Sequence, residues 1–206
     1  MLPICLRTLP AIKLLSPLQP TLSLHCSLLS PSTRAIAIRL CHSCGFDVFK
    51  FCSFTDGVFR ILHEFLLNPS LIFSDTRALQ SLLTSQSTKH LVICIADLLK
   101  VRSIASKVNC TLACIQIDIL TLVESLIHPK GFLLVVGTSP TSALRILELT
   151  ISQRFHPLVT ILSPLGFVNG ILSKTRFTHT KLHYCALRSC FGGLSLAAAL
   201  INASTG

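Results

Sequence analysis

Cys41-His42-Ser43-Cys44 sets an imidazole between two thiols, and that spacing admits two kinds of chemistry. Two cysteines three apart resemble one arm of a zinc knuckle, but a closed zinc site takes four ligands, usually with a second such pair. There is no second C-x-x-C, and Cys110 and Cys114, one helical turn apart, read as small hydrophobes on a buried helix face. No metal is expected. A thioredoxin-type redox pair would need a buried strand just before Cys41, and none is read there. His42 remains, as a side chain type that changes protonation near neutral pH and so suits a general acid or base.

Two other stretches could meet an anion. Gly137-Thr138-Ser139-Pro140-Thr141 follows an apolar run and puts backbone amides and hydroxyls at a helix start, where the dipole favours a carboxylate or phosphate. Gly192-Gly193 opens the last helix in the same way. Neither carries the dinucleotide fingerprint or the Walker lysine spacing, so nucleotide binding is not expected. A serine hydrolase lacks its G-x-S-x-G elbow. His63, His90, His128, His156, His179 and His183 show no H-E-x-x-H spacing and stay unassigned.

The elements that must position these groups alternate. Short apolar runs at 71–73, 91–96, 132–136, 158–162 and 182–187 read as buried strands. Helical spacing occupies Thr76 to Thr84, Asp97 to Lys107, Ile115 to Ile127 and Thr141 to Gln153. The expected fold is therefore α/β, a three-layer α/β/α sandwich on a mainly parallel sheet of about five strands. The first 68 residues look helical and proline-rich, carry no strong strand, and are expected to cap one edge of the sheet. One domain over residues 1–206 is the expectation from length.

Half of the residues are hydrophobic and 13% are charged, against roughly 25% in ordinary soluble proteins, which raises the question of a membrane span. The two longest uncharged windows, Leu14 to Thr33 and Phe155 to Ser173, are broken by prolines and glycines, so no span is expected. The basic N-terminal stretch superficially resembles a transit peptide but holds nothing like a cleavage site. Ten cysteines fall short of the density of a disulfide scaffold, so reduced thiols and a cytoplasmic location are expected. A net charge of +10 asks for an anionic partner. The basic residues are scattered and aromatic stacking surface is scarce, so a small polycarboxylate fits at least as well as nucleic acid, which is not expected.

Several stretches, in order and spacing, resemble precorrin-8X methylmutases, the corrin-ring isomerases of cobalamin biosynthesis. "IRLCHSCGFDV" is similar to the family's histidine segment, "SLIFSDTRAL" to a strand-to-helix segment with an aspartate and an arginine, and "VVGTSPTSALRILEL" to its glycine, proline and threonine turn. "SPLGFVNGILSK" and "FGGLSLAAALINA" resemble its later loop and its double-glycine terminal helix. The chain departs from the pattern at Cys5, Thr8, Cys110, Thr111, Thr138 and 189–191, where polar or basic groups are usual.

The resemblance implies migration of a methyl group between neighbouring ring carbons, giving hydrogenobyrinate, with no cofactor and with His42 as proton donor or acceptor. It further implies that Ser16, Arg39, Asp75, Thr141 and Lys174 contact the tetrapyrrole, and that the protein is a homodimer. The migration is sigmatropic, so the protein's part is to place a proton and to hold the flattened ring. A non-catalytic corrinoid carrier derived from such an enzyme is the alternative. Whether the substrate carries cobalt stays open.

Overall fold

The computed structural model describes residues 30–44, 48–84, 87, 89–98, 112–124, 131–166, 169–188 and 192–205. In chain order the elements are α1 (Pro31–Cys44), β1 (Cys52–Phe54), α2 (Val58–Leu66), β2 (Leu71–Ser74), α3 (Leu79–Leu82), β3 (Leu91–Cys94) and α4 (Leu112–Glu124). Then come β4 (Leu133–Val136), α5 (Pro140–Ile151), β5 (Val159–Leu162), α6 (Gly170–Arg176), β6 (Tyr184–Leu187) and α7 (Leu194–Thr205).

The strands form one sheet in the order β1-β6-β5-β4-β2-β3, parallel throughout except for β1, which runs antiparallel to β6. Each of the five apolar runs contains a strand. Their side chains alternate between two cores because successive Cβ atoms point to opposite faces. Leu133 and Val135 of β4 face α1, α2 and α7, whereas Leu134 and Val136 face α4 and α5. Burial on both faces is why these strands read as continuous apolar runs rather than alternating ones.

Three expectations need correction. The sheet has a sixth strand, β1, in the N-terminal part where none was read. Its three residues, Cys52-Ser53-Phe54, are too few and too mixed to show a pattern, and the strand exists because its backbone pairs with 185–187 of β6. The N-terminal helices α1 and α2 cover a face rather than an edge, bringing Leu40, Phe59 and Leu62 onto the core under α7. The helix read over Thr76 to Thr84 contracts to α3, since Ser74 and Thr76 accept hydrogen bonds from the amides of Thr76 and Ala78 and hold a turn instead.

Helix α5 begins as its sequence dictates. Ser139 accepts the amide of Ser142 at 3.2 Å, Pro140 stands at the first helical position, and the helix stops before Gln153, which adopts φ 54°. Helix α4 covers the first part of the stretch read over Ile115 to Ile127, and 125–127 lie outside the described residues. Of the stretch from Asp97 to Lys107, Asp97 closes a short 3-10 turn, Ile95–Asp97, and residues past Leu98 are not described. No helix among the described residues is long and apolar enough to cross a membrane.

Winding reverses once. From β2 the chain passes outward over the α1 face to β3, and from β4 it passes the other way over the α5 face to β5. The connections leaving β2 and β4 therefore diverge at their carboxyl ends, which in open α/β sheets makes a ligand crevice.

Candidate active site

That crevice is occupied by the chain itself. Asp75 follows the last residue of β2, and its carboxylate accepts the amides of Gly137 at 3.0 Å, Thr138 at 2.8 Å and Ser139 at 2.9 Å, with the Thr138 hydroxyl at 2.9 Å. These are the amides that the sequence offered to a substrate carboxylate. Charge-assisted bonds of this kind are roughly twice as strong as neutral ones, and the start of α5 adds its dipole.

Two strands along, the turns after β5 and before α7 interlock. The Gly193 amide donates to the Ser163 carbonyl, and the Ser163 hydroxyl donates to the Gly193 carbonyl at 3.0 Å. A Cβ on Gly192 would lie 2.2 Å from the Ser163 oxygen, so only glycine permits this approach. Behind the turn, the fully buried Lys174 donates from Nζ to the Pro164 carbonyl at 2.9 Å.

Between these turns and α1 lies an apolar cleft with an empty volume of ≈ 260 Å³, part of it open to solvent. Leu40, Ser163, Leu187, Leu196 and Leu200 are among its walls. The space it actually encloses is only about 20 Å³, far below the ~300–1,000 Å³ typical of pockets that enclose drug-sized ligands, so a macrocycle can lie against its mouth but not enter it. Leu40 brings the last turn of α1 to the carboxyl ends of β5 and β6, and β1 starts at that end because Cys52 pairs with Leu187.

His42 sits in that last turn, partly exposed and outside the cleft wall, and no hydrogen bond joins its ring to another described residue. Its neighbour Cys41 is fully buried in the core. Among the described residues no group of three His, Cys, Asp or Glu could hold a metal ion. Cys185, buried beside the cleft, has its thiol pushed up to about 12 by desolvation, which leaves it inert at neutral pH.

The other sequence candidates scatter. Arg39 donates to the carbonyls of Ala203 at 3.2 Å and Asn202 at 3.5 Å, in the last turn of α7, far from its glycine start. Thr141 is half-buried in the first turn of α5. Ser16 lies outside the described residues. Sequence reasoning missed Ser163, whose role depends on a register between distant segments. Its only local signal was the proline following it.

The precorrin-8X methylmutase family model matches residues 18–205. The chain belongs to the precorrin-8X methylmutase family. It is 25% identical over 173 residues to a precorrin-8X methylmutase of Pseudomonas aeruginosa, covering 82% of this chain and 81% of that one. It is 29% identical over 183 residues to a cobalt-precorrin-8 methylmutase of Salmonella typhimurium, covering 84% and 81%. Among solved structures, a precorrin-8X methyl mutase from Thermus thermophilus superposes with a TM-score of 0.75 at 19% identity, covering 95% of this chain and 94% of the other. A precorrin-8X methylmutase related protein gives 0.73 at 19%, covering 89% and 98%. These two establish the likeness of fold.

As a precorrin-8X methylmutase family member, the chain is an isomerase of cobalamin biosynthesis. The family match spans every strand of the sheet and the interlocked turns at its carboxyl edge. The polar contacts of Asp75, Ser163 and Lys174 reach backbone atoms of the loops at that edge.

Proposed function

We propose that this chain converts precorrin-8X to hydrogenobyrinate by moving one methyl group between neighbouring ring carbons, with His42 as the proton donor and acceptor. The reaction is an isomerisation, so a proton taken from the macrocycle as conjugation shifts must be returned to it. A single partly exposed imidazole with no bond to another described residue suits both halves of that exchange. This placement of His42, at the carboxyl edge of a chain whose family match runs from 18 to 205, carries the reading.

The macrocycle lies across the carboxyl ends of β4, β5 and β6, a span of two strand spacings or roughly 10 Å, with one edge against the mouth of the apolar cleft. Thr141 and Ser16 are the proposed direct contacts to its side chains. Arg39, Asp75 and Lys174, whose polar atoms reach the backbone of the chain, act from behind. The protein works as a cytoplasmic homodimer, and both metal-free and cobalt-bearing substrates belong to the proposal, since curated relatives of similar identity carry each name.

The test mixes purified protein with precorrin-8X and follows its absorbance. Conversion to hydrogenobyrinate is expected. Folded protein that leaves the substrate unchanged overturns the reading, and tight binding of hydrogenobyrinate without conversion would replace it by a carrier.

A further inference from the structure

The doubly wound sheet has one reversal, between β2 and β4, where its connections part and a ligand would ordinarily enter. Here a single carboxylate fills it, taking three amides and one hydroxyl from Gly137-Thr138-Ser139. We infer that Asp75 is a positioning residue that closes the reversal with the chain's own anion. It keeps the carboxylates of the substrate off the amides of 137–139, so that the macrocycle lies across β4, β5 and β6 and meets α5 only at Thr141. The inference rests on the tetrapyrrole reading for its substrate, but not for its geometry.

Two observations extend the role beyond local stability. The Asp75 amide is itself held by the Val135 carbonyl at 3.2 Å, so the carboxylate is aimed by the same β2–β4 pairing that it reinforces. Gly137, the first amide of the clamp, is also where α7 touches the sheet edge. A Cβ there would lie 2.7 Å from Leu194 Cδ1 and 3.2 Å from Leu194 Cα. Leu194 opens α7 directly after Gly192-Gly193, whose backbone is locked to Ser163. A shift of Gly137 therefore moves the start of α7, and with it a wall of the cleft.

A polyanion with acetate and propionate arms would find four unsatisfied donors wherever Asp75 was removed. One arm entering that position would hold the ring in a wrong register. Such misplacement lowers kcat and KM together, because the misbound complex is populated but cannot react. Formate has the carbon and oxygen atoms lost in Asp75→Ala, whose methyl is the retained Cβ, and would compete for the vacancy.

The experiment compares wild type, Asp75→Ala and Asp75→Asn by hydrogen exchange of the substrate-free protein and by kinetics with precorrin-8X. For Asp75→Ala, amides of 137–139 are expected to exchange roughly tenfold faster or more, the loss expected for charge-assisted bonds. Those of 193–197 should exchange faster as well. Sodium formate should reverse both effects and restore kcat, while sodium chloride at equal ionic strength should do neither. Asp75→Asn, which keeps one acceptor oxygen, should fall between, and it carries the test if the alanine variant does not fold. Unchanged exchange at 193–197, or formate without effect, overturns the positioning role. A rise in KM with wild-type exchange would make Asp75 a direct substrate contact instead. Wild type that fails to turn over precorrin-8X defeats the proposed function, whereas the exchange and formate arms still decide what Asp75 does.

Discussion

Arg39 and His42 stand three residues apart on α1, near enough to share a face, yet the chain uses them differently. The Arg39 guanidinium reaches carbonyls at the end of α7, and His63 adds a ring nitrogen 2.7 Å from the Ser204 carbonyl. Such carbonyls have no backbone amide ahead of them in the helix, although the Thr205 hydroxyl also donates to that of Asn202 at 3.1 Å, and a cation beside them suits the dipole. The His42 ring makes no bond to another described residue. The two histidine and arginine substitutions should therefore separate. His42→Ala is expected to cost about 10²–10⁴ in turnover, the usual worth of a positioned acid or base, while its urea midpoint stays at the wild-type value. Arg39→Met should cost about 1–3 kcal/mol of unfolding free energy, the penalty for orphaning charge-assisted acceptors, while kcat is kept. Loss of turnover in Arg39→Met without loss of stability would return Arg39 to the substrate. At this scale the sequence shows which residues could do chemistry, but not which are already engaged. Asp75 and Arg39 meet backbone atoms from segments far along the chain, and spacing within one segment carries no trace of those meetings, whereas Lys174 reaches back within its own loop to Pro164.

Elements were more legible than contacts. The five parallel strands were readable because burial on both faces leaves apolar runs that turn residues punctuate. Strand β1 was not, because only its partner defines it, and α3 shrank because Ser74 and Thr76 satisfy the local amides. Two predictions belong to the joints between elements. Gly192→Ala would force a methyl onto the Ser163 carbonyl oxygen, so the turn before α7 must move. Destabilisation of about 1–3 kcal/mol, the range for overpacking, should accompany loss of turnover, as read by urea unfolding and absorbance. The second concerns the edge of the sheet. His90, beside β3, is buried with neither ring nitrogen bonded to another described residue, and burial, then the Lys89 charge, holds its pKa below the ordinary 6.5. The unfolded chain consequently takes up a proton that the folded chain refuses. Stability is full above about pH 6.5, the ordinary value for histidine. It falls as the pH drops from there through the folded-state pKa. His90→Leu should flatten that slope between pH 5 and 7 in urea midpoints, and an unchanged slope would clear His90 of the effect.

For the whole molecule, the telling quantity is charge. The chain carries +10, and several of its eight acidic residues are already satisfied within it. Asp75 is held by amides, Asp97 by Arg77, Asp118 and Glu148 by Arg145, and Glu124 by the His156 amide. Arg77 lowers the Asp97 pKa by hydrogen bonding and by its charge, although both groups are exposed, and pairs of this kind add little to stability. Their effect is to leave few free carboxylates to repel an anion, while Arg60, Arg154, Arg176, Lys181 and Arg188 are exposed at scattered points of the described surface. Family order along the chain was readable because it follows turns and strands. This charge balance was readable only as a sum, since pairing decides how much of it acts outward. The field should draw a polycarboxylate macrocycle from a distance and contribute less once the ring is seated. Raising ionic strength from about 0.01 M to 1 M shortens the Debye length from roughly 30 Å to 3 Å. Across that range kcat/KM for precorrin-8X should fall steeply while kcat stays nearly level, because screening acts on encounter more than on the bound complex. Turnover that responds to salt only through kcat would mean that the surplus charge serves something other than substrate capture, and the macrocycle would then have to be held by the apolar cleft and hydrogen bonds alone.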